Sequence, residues 1–207
     1  MIKTISYDQE EILTNIIKLY CNDKIDADVT YSKGNFYKKI KRPNFTSDLY
    51  PQDDMTIKCN ANNLSVENES FESLMFDPPF LAGYTKEKPS GIIGNRFHGF
   101  RYISDLWSWY SSCFPEFKRV IKNKGILIIK CQDTVSSGRQ HLSHVYIINE
   151  AAKHGFYCKD LFVLLAKSRI VGHNHKSQKH ARKFHSYFLV FEKNQKPLKS
   201  SSELSKV

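Results

Sequence analysis

The stretch Gly125-Ile126-Leu127-Ile128-Ile129-Lys130 confines this chain to a narrow set of folds. A continuous run of leucine and β-branched residues has no polar face to offer water. It fits a central strand of a parallel sheet covered by helices on both sides, not a strand with one wet face. Asn123-Lys124-Gly125 supplies the turn that feeds it. A second apolar strand, Ser73–Phe76, runs straight into Asp77-Pro78-Pro79-Phe80. Neither proline has an N–H to donate, and the residue before each is driven to extended geometry. The chain must therefore leave the sheet there as a stiff corner. That corner presents the Asp77 carboxylate, the Pro78 carbonyl and the Phe80 ring at the C-terminal end of a strand, the edge where open α/β sheets bind ligands.

The rest of the chain alternates helical and strand patterns. Ser6-x-x-Gln9 followed by Ile12, Leu13, Ile16, Ile17 and Tyr20 predicts a capping box and an amphipathic helix. Leu106 to Val120 carries Leu106, Trp109, Tyr110, Cys113, Phe114 and Phe117 at helical spacing, with Pro115 as a candidate break into two helices. His144–His154 reads as a helix with Val145, Ile148 and Ala152 inward, stopped by Gly155. Short strands are expected at Ala27–Tyr31, at a stretch ending near Ser47-Asp48, and at Met55–Cys59. The Gly34 turn leads into a helix or loop carrying Phe36, Tyr37 and Ile40. Tyr157–Ala166 and Ser186–Lys193 form a terminal antiparallel hairpin. Strands alternating with helices imply an α/β fold, a mainly parallel twisted sheet with helices on both faces and an antiparallel C-terminal hairpin. Residues 1–193 are expected to form a single domain, and the Lys- and Ser-rich residues 194–207 a disordered tail.

Composition restricts the partners. With 41% hydrophobic and 13% aromatic residues the chain can bury a core, which argues against disorder. No apolar run approaches a membrane span, and the polar, acidic start argues against a signal peptide. The five scattered cysteines, with no CxxC, read as reduced thiols of a cytoplasmic protein. The net charge is +10, and it is unevenly spread. No acidic residue falls between Asp160 and Glu192, while Lys167, Arg169, Lys176, Lys179, Arg182 and Lys183 do, with His173, His175, His180 and His185. Such a one-sign block suits phosphate contacts to a nucleic acid. No carboxylate or cysteine joins the histidines, so no metal site is expected there.

Asp-Pro-Pro-Phe closing a strand, downstream of a strand–glycine turn, resembles the class I S-adenosylmethionine-dependent methyltransferases that methylate amino nitrogens, above all the DNA N6-adenine and N4-cytosine enzymes. The resemblance runs from about Asp28 to Phe191 and implies a Rossmann-like methyltransferase fold with S-adenosylmethionine as cofactor. It places Asp28, Thr30 and Gly34 at the cofactor's methionine moiety, Asp48 at the ribose hydroxyls and Asn60 at the adenine. The family's turn carries two or three glycines; here only Gly34 is present, with Ser32 where another would stand. Asp77, Pro78, Pro79 and Phe80 then form the catalytic set. Gln132 or Asp133, after the next strand, stands within reach of the target.

The chemistry of that set follows from the substrate. The exocyclic amine of a base is a poor nucleophile because its lone pair is delocalised into the ring. Accepting its two N–H groups with the Asp77 carboxylate and the Pro78 carbonyl localises the lone pair, and Phe80 stacks on the base to orient it. The expectation is a DNA methyltransferase acting on adenine N6, with cytosine N4 open. An RNA N6-adenine methyltransferase, methylation of a protein amide or lysine, and a non-catalytic nucleic-acid-binding partner of a second methyltransferase are the competing readings. DNA is favoured over RNA, no membrane is involved, and a homodimer or partner subunit is one source of target specificity.

Overall fold

The computed structural model describes residues 1–80, 100–168 and 179–194. Eight strands make one sheet: β1 (Ile5–Ser6), β2 (Ala27–Asp28), β3 (Phe45–Asp48), β4 (Ile57–Lys58), β5 (Phe71–Phe76), β6 (Ile121–Cys131), β9 (Phe156–Leu165) and β10 (His185–Lys193). A separate small hairpin joins β7 (Thr134–Ser136) to β8 (Arg139–His141). The helices are α1 (Gln9–Tyr20), α2 (Ile103–Val120) and α3 (Ser143–Lys153). The sheet order is β1-β9-β10-β6-β5-β2-β3-β4. Strands β4, β3, β2, β5 and β6 run parallel, and β10 is antiparallel to both β6 and β9. This is the expected Rossmann-like arrangement with its reversed terminal hairpin.

The central strand is covered on both faces, as its composition demands. Ile126 and Ile128 face α1 together with Met75, Phe162, Phe188 and Val190; Leu127, Ile129 and Cys131 face α2 and α3 with Leu74, Phe76, Leu189 and Phe191. The turn expected before it is a bulge inside β6. Lys124 takes φ 62°, and the register with β5 moves from Phe71↔Ile121 to Ser73↔Ile126. A Cβ at Gly125 would lie 2.6 Å from the Ile121 side chain and 2.9 Å from the Lys122 carbonyl, so only glycine closes the bulge.

Several local expectations shift. The α1 cap is Asp8, which accepts from the Glu10 N–H at 2.9 Å, not Ser6, whose hydroxyl donates to Glu11. Ile12, Leu13, Ile16 and Ile17 do form its buried stripe. Pro115 lies inside one continuous α2, because Phe114 and Phe117 are buried on either side of it and anchor both halves to the sheet. On α3 the buried positions are Ser143, Ile147 and Ala151, while Val145 is 41% exposed. Stacking of Tyr146 on Trp107 at 4.3 Å goes with this rotation of the helix. Gly155, at φ 83°, ends it.

The half of the sheet carrying β2, β3 and β4 has no helical crossovers. The chain from 29 to 44 packs Phe36, Tyr37 and Ile40 onto the α1 face as a loop, resolving the helix-or-loop alternative. Its lysines and Pro43 leave no apolar stripe for a helix to bury. Except for Asn194, the expected tail lies outside the described residues.

Candidate active site

The C-terminal ends of β2, β3 and β5 open onto one cleft of about 320 Å³, lined among others by Thr30, Ser32, Asp48, Asn60, Asp77 and Pro79, with Phe100 and Trp109 as aromatic wall. Proteins commonly hold small ligands in cavities of about this size or larger. Five of the residues singled out in the sequence, Thr30, Asp48, Asn60, Asp77 and Pro79, thus converge on one space.

Asp77 leaves β5 at the proline corner. Its backbone N–H donates to the Thr30 hydroxyl at 2.6 Å. Its Oδ2 lies 3.7 Å from the Lys130 ammonium, and its Oδ1 is buried with no hydrogen-bond partner. Burial pushes the Asp77 carboxyl above the usual range, and Lys130 opposes that rise. A buried acceptor left without a donor costs stability, which marks the Asp77 carboxylate as a candidate functional group.

Asp28 sits beneath the cleft rather than on it. It is 1% exposed and accepts from the Thr30 N–H at 2.9 Å and the Tyr37 hydroxyl at 2.8 Å. Burial drives its carboxyl up to about 7, against the pull of those hydrogen bonds. Tyr37, Asp28, Thr30 and Asp77 therefore form one hydrogen-bonded chain that locks the proline corner to β2. Asp28 orients Thr30 from below.

Gly34 is also off the cleft. At φ 62° it passes so near the Tyr31 ring that a Cβ would fall 2.3 Å from the Tyr31 oxygen. The glycine is required by that ring, which stacks on Tyr37 at 5.6 Å. The member of the turn that faces the cleft is Ser32, held at φ 51°. Its N–H donates to Asp48 Oδ2 at 2.9 Å, while Asp48 Oδ1 accepts from the Tyr50 N–H at 2.8 Å. Burial raises the Asp48 carboxyl, and these two N–H groups counter the rise. Asn60 meets the cleft from the loop after β4 and accepts from the Asn62 N–H at 3.4 Å.

Beyond Asp77, the corner is partly committed. Pro78 is buried, the Pro79 carbonyl accepts from the Tyr110 hydroxyl at 3.1 Å, and Phe80 is half-buried and outside the cleft lining. Gln132 and Asp133 are spent on structure. Gln132 donates to the His185 carbonyl at 2.6 Å. Asp133 accepts from the His144 N–H at 3.3 Å and lies 2.8 Å from His144 Nδ1, fixing the start of α3 and the base of the β7–β8 hairpin.

Of the basic segment, Lys167, Lys179 and Arg182 are exposed and Lys183 is half-exposed, while Arg169, Lys176, His173 and His175 lie outside the described residues. His180 Nε2 lies 3.0 Å from the Gly138 carbonyl, which ties this segment to the β7–β8 hairpin. Among the described residues, no group of three or more His, Cys, Asp or Glu is arranged to hold a metal ion. None of their helices is long and apolar enough to cross a membrane.

Sequence reasoning passed over Lys130 and Tyr110, which touch the corner from β6 and α2. The Lys130 signal was visible: a cation closing an otherwise apolar buried strand.

No protein-family model matches the chain, and no curated protein sequence matches it significantly. Solved structures do. A S-adenosylmethionine-dependent methyltransferase from Methanosarcina mazei superposes with a TM-score of 0.51 at 11% identity, over 87% of this chain and 98% of that one. The cyclase SpnF gives 0.54 at 12%, over 89% and 81%. A Thermus thermophilus protein provisionally designated a DNA modification methylase gives 0.44 at 18%, over 71% of this chain; the present chain spans 56% of that protein's length. The fold is the Rossmann-like fold of S-adenosylmethionine-dependent methyltransferases. A cyclase among its neighbours shows that this fold does not by itself dictate the reaction.

Proposed function

We propose that the protein is an S-adenosylmethionine-dependent methyltransferase acting on an exocyclic amine of a nucleobase in DNA, adenine N6 before cytosine N4. The observation that carries this reading is the Asp77 carboxylate of the proline corner, lining a cleft with aromatic walls and holding an oxygen without a hydrogen-bond partner. An –NH₂ group in that cleft supplies a donor to the carboxylate. Acceptance of one N–H by Asp77 and the other by the Pro78 carbonyl draws the nitrogen toward tetrahedral geometry and frees its lone pair. Trp109 and Phe100, which wall the cleft, offer the flat surfaces that hold the base, while stacking by Phe80 requires its ring to turn in from outside the lining.

The cofactor fits the remaining polar groups. Asp48 is a carboxylate at a strand end with lone pairs left for ribose hydroxyls, Asn60 suits the adenine edge, and Thr30 and Ser32 border the methionine end. When bound, S-adenosylmethionine supplies a methyl group on a sulfonium, which passes to the nitrogen while the C–S electron pair stays on sulfur. The amine's surplus proton then leaves to solvent. Lys167, Arg169, Lys176, Lys179, Arg182 and Lys183 contact phosphates, and a duplex target base must leave its stack, costing a few kcal/mol.

The test is nucleoside mass spectrometry after incubating the protein and methyl donor with DNA and with RNA. N6-methyladenine or N4-methylcytosine in DNA is expected. Asp77→Ala is expected to lower transfer by roughly 10²-fold or more, the scale of losing a preorganised polar partner, while cofactor binding persists. Methylation of RNA alone moves the target to that polymer. No cofactor binding by calorimetry defeats the enzymatic reading in favour of a non-catalytic partner.

A further inference from the structure

We propose that Lys130 is a positioning residue of the transfer site, its ammonium 3.7 Å from Oδ2 of Asp77 holding that carboxylate in place at the cleft as an acceptor. This rests on Asp77 as the amine acceptor. The geometry comes from the sheet. In the parallel β5–β6 pair, Phe76 lies opposite Ile129, so the next step sets Asp77 beside Lys130 on the same face. Across β6, Lys130 pairs with Phe188 of β10. The side chain is 12% exposed, and its ammonium stands 4.8 Å from the Phe36 ring and 5.5 Å from the Phe188 ring.

That environment does not require a lysine. Methionine has similar length, would pack between two phenylalanine rings, and would need no counterion. A buried ion pair is weak evidence of a stabilising role, because desolvation offsets its attraction. What only the cation supplies is its effect on Asp77. The groups facing that carboxylate are Asp28 from β2, Tyr37 from the following loop, Tyr110 from α2 and Cys131 from β6. Burial raises the Tyr37, Tyr110 and Cys131 groups far enough to keep them neutral. Asp28 is the remaining acid, and once ionised above about pH 7 it repels. Among the described residues, Lys130 is therefore the cation that keeps Asp77 ionised. A protonated Asp77 would present an O–H and accept an amine poorly.

The experiment compares wild type with Lys130→Met, Lys130→Gln and Lys130→Arg. Carboxyl-carbon NMR of Asp77 should show its titration midpoint moved up by at least about one pH unit in the two neutral variants and retained in the arginine variant. In the acid limb the neutral variants should lose roughly tenfold in kcat, matching one unit in the ionised fraction, with the limb displaced to higher pH. The KM for nucleic acid and cofactor affinity should not move. An unshifted Asp77 titration overturns the proposal. So does an arginine variant as slow as the methionine one, which would mark Lys130 as packing. Wild-type protein that methylates neither DNA nor RNA defeats the amine-acceptor reading itself. Active wild type whose neutral variants keep its rate and pH profile defeats only the role of Lys130.

Discussion

Asp28→Asn should make the protein's stability less sensitive to alkali, and the size of the effect follows from one buried carboxyl. In the fold, burial raises the Asp28 group from 3.8 to about 7. The unfolded chain returns it to water, where it ionises near 3.8. Between those two values the unfolded state has released its proton and the folded state still holds it. The unfolded state then binds fewer protons, so wild-type stability is greatest in acid and falls as pH rises through that window. Asparagine cannot ionise, and its oxygen still accepts from the Thr30 N–H while its amide can donate to the Tyr37 oxygen. At 1.36 kcal/mol per unit, Asp28→Asn should gain on wild type by roughly 2 to 3 kcal/mol between pH 5 and pH 8. Urea unfolding of both proteins at the two pH values measures this, and every other titrating group they share cancels in the difference. A wild-type-to-variant gap that stays constant within about 0.5 kcal/mol would refute the reasoning, since Asp28 would then ionise alike in both states.

Two further outcomes follow from the geometry. Gly34→Ala places a Cβ 2.3 Å from the Tyr31 oxygen at φ 62°. It should destabilise by about 2 to 4 kcal/mol in thermal unfolding, with partial recovery in a Tyr31→Ala background; an unchanged midpoint contradicts the packing described. Replacing Lys179, Arg182 and Lys183 together with alanine should weaken nucleic-acid binding and flatten the slope of log affinity against log salt by about 2 to 3, as read in a fluorescence titration. Unchanged affinity and slope remove the segment from the interface.

The strands and helices that the sequence marked most plainly are those whose burial is written in composition. Gly125–Lys130 had to be doubly covered because no polar side was available, and Ile12, Leu13, Ile16 and Ile17 had to face a sheet because helical spacing puts them together. The proline corner was equally legible, since two prolines leave a strand no other course. The rotation of α3 was not. Val145 and Ile147 are both apolar, and only the Trp107–Tyr146 stack, a contact between two helices, accompanies the choice between them.

The chain alone determined that a carboxylate would stand at a rigid strand end in a mainly parallel sheet, because apolar runs and imino rings act over a few bonds. Tertiary structure decided what surrounds that carboxylate. Lys130 is 53 residues from Asp77 in sequence and meets it only because β5 and β6 pair in parallel at one register. Asp28 is placed below the cleft and Gly34 against a tyrosine ring by close packing of Tyr31 and Tyr37. Charge pairing and burial depend on which strands become neighbours, and that is a property of the assembled sheet.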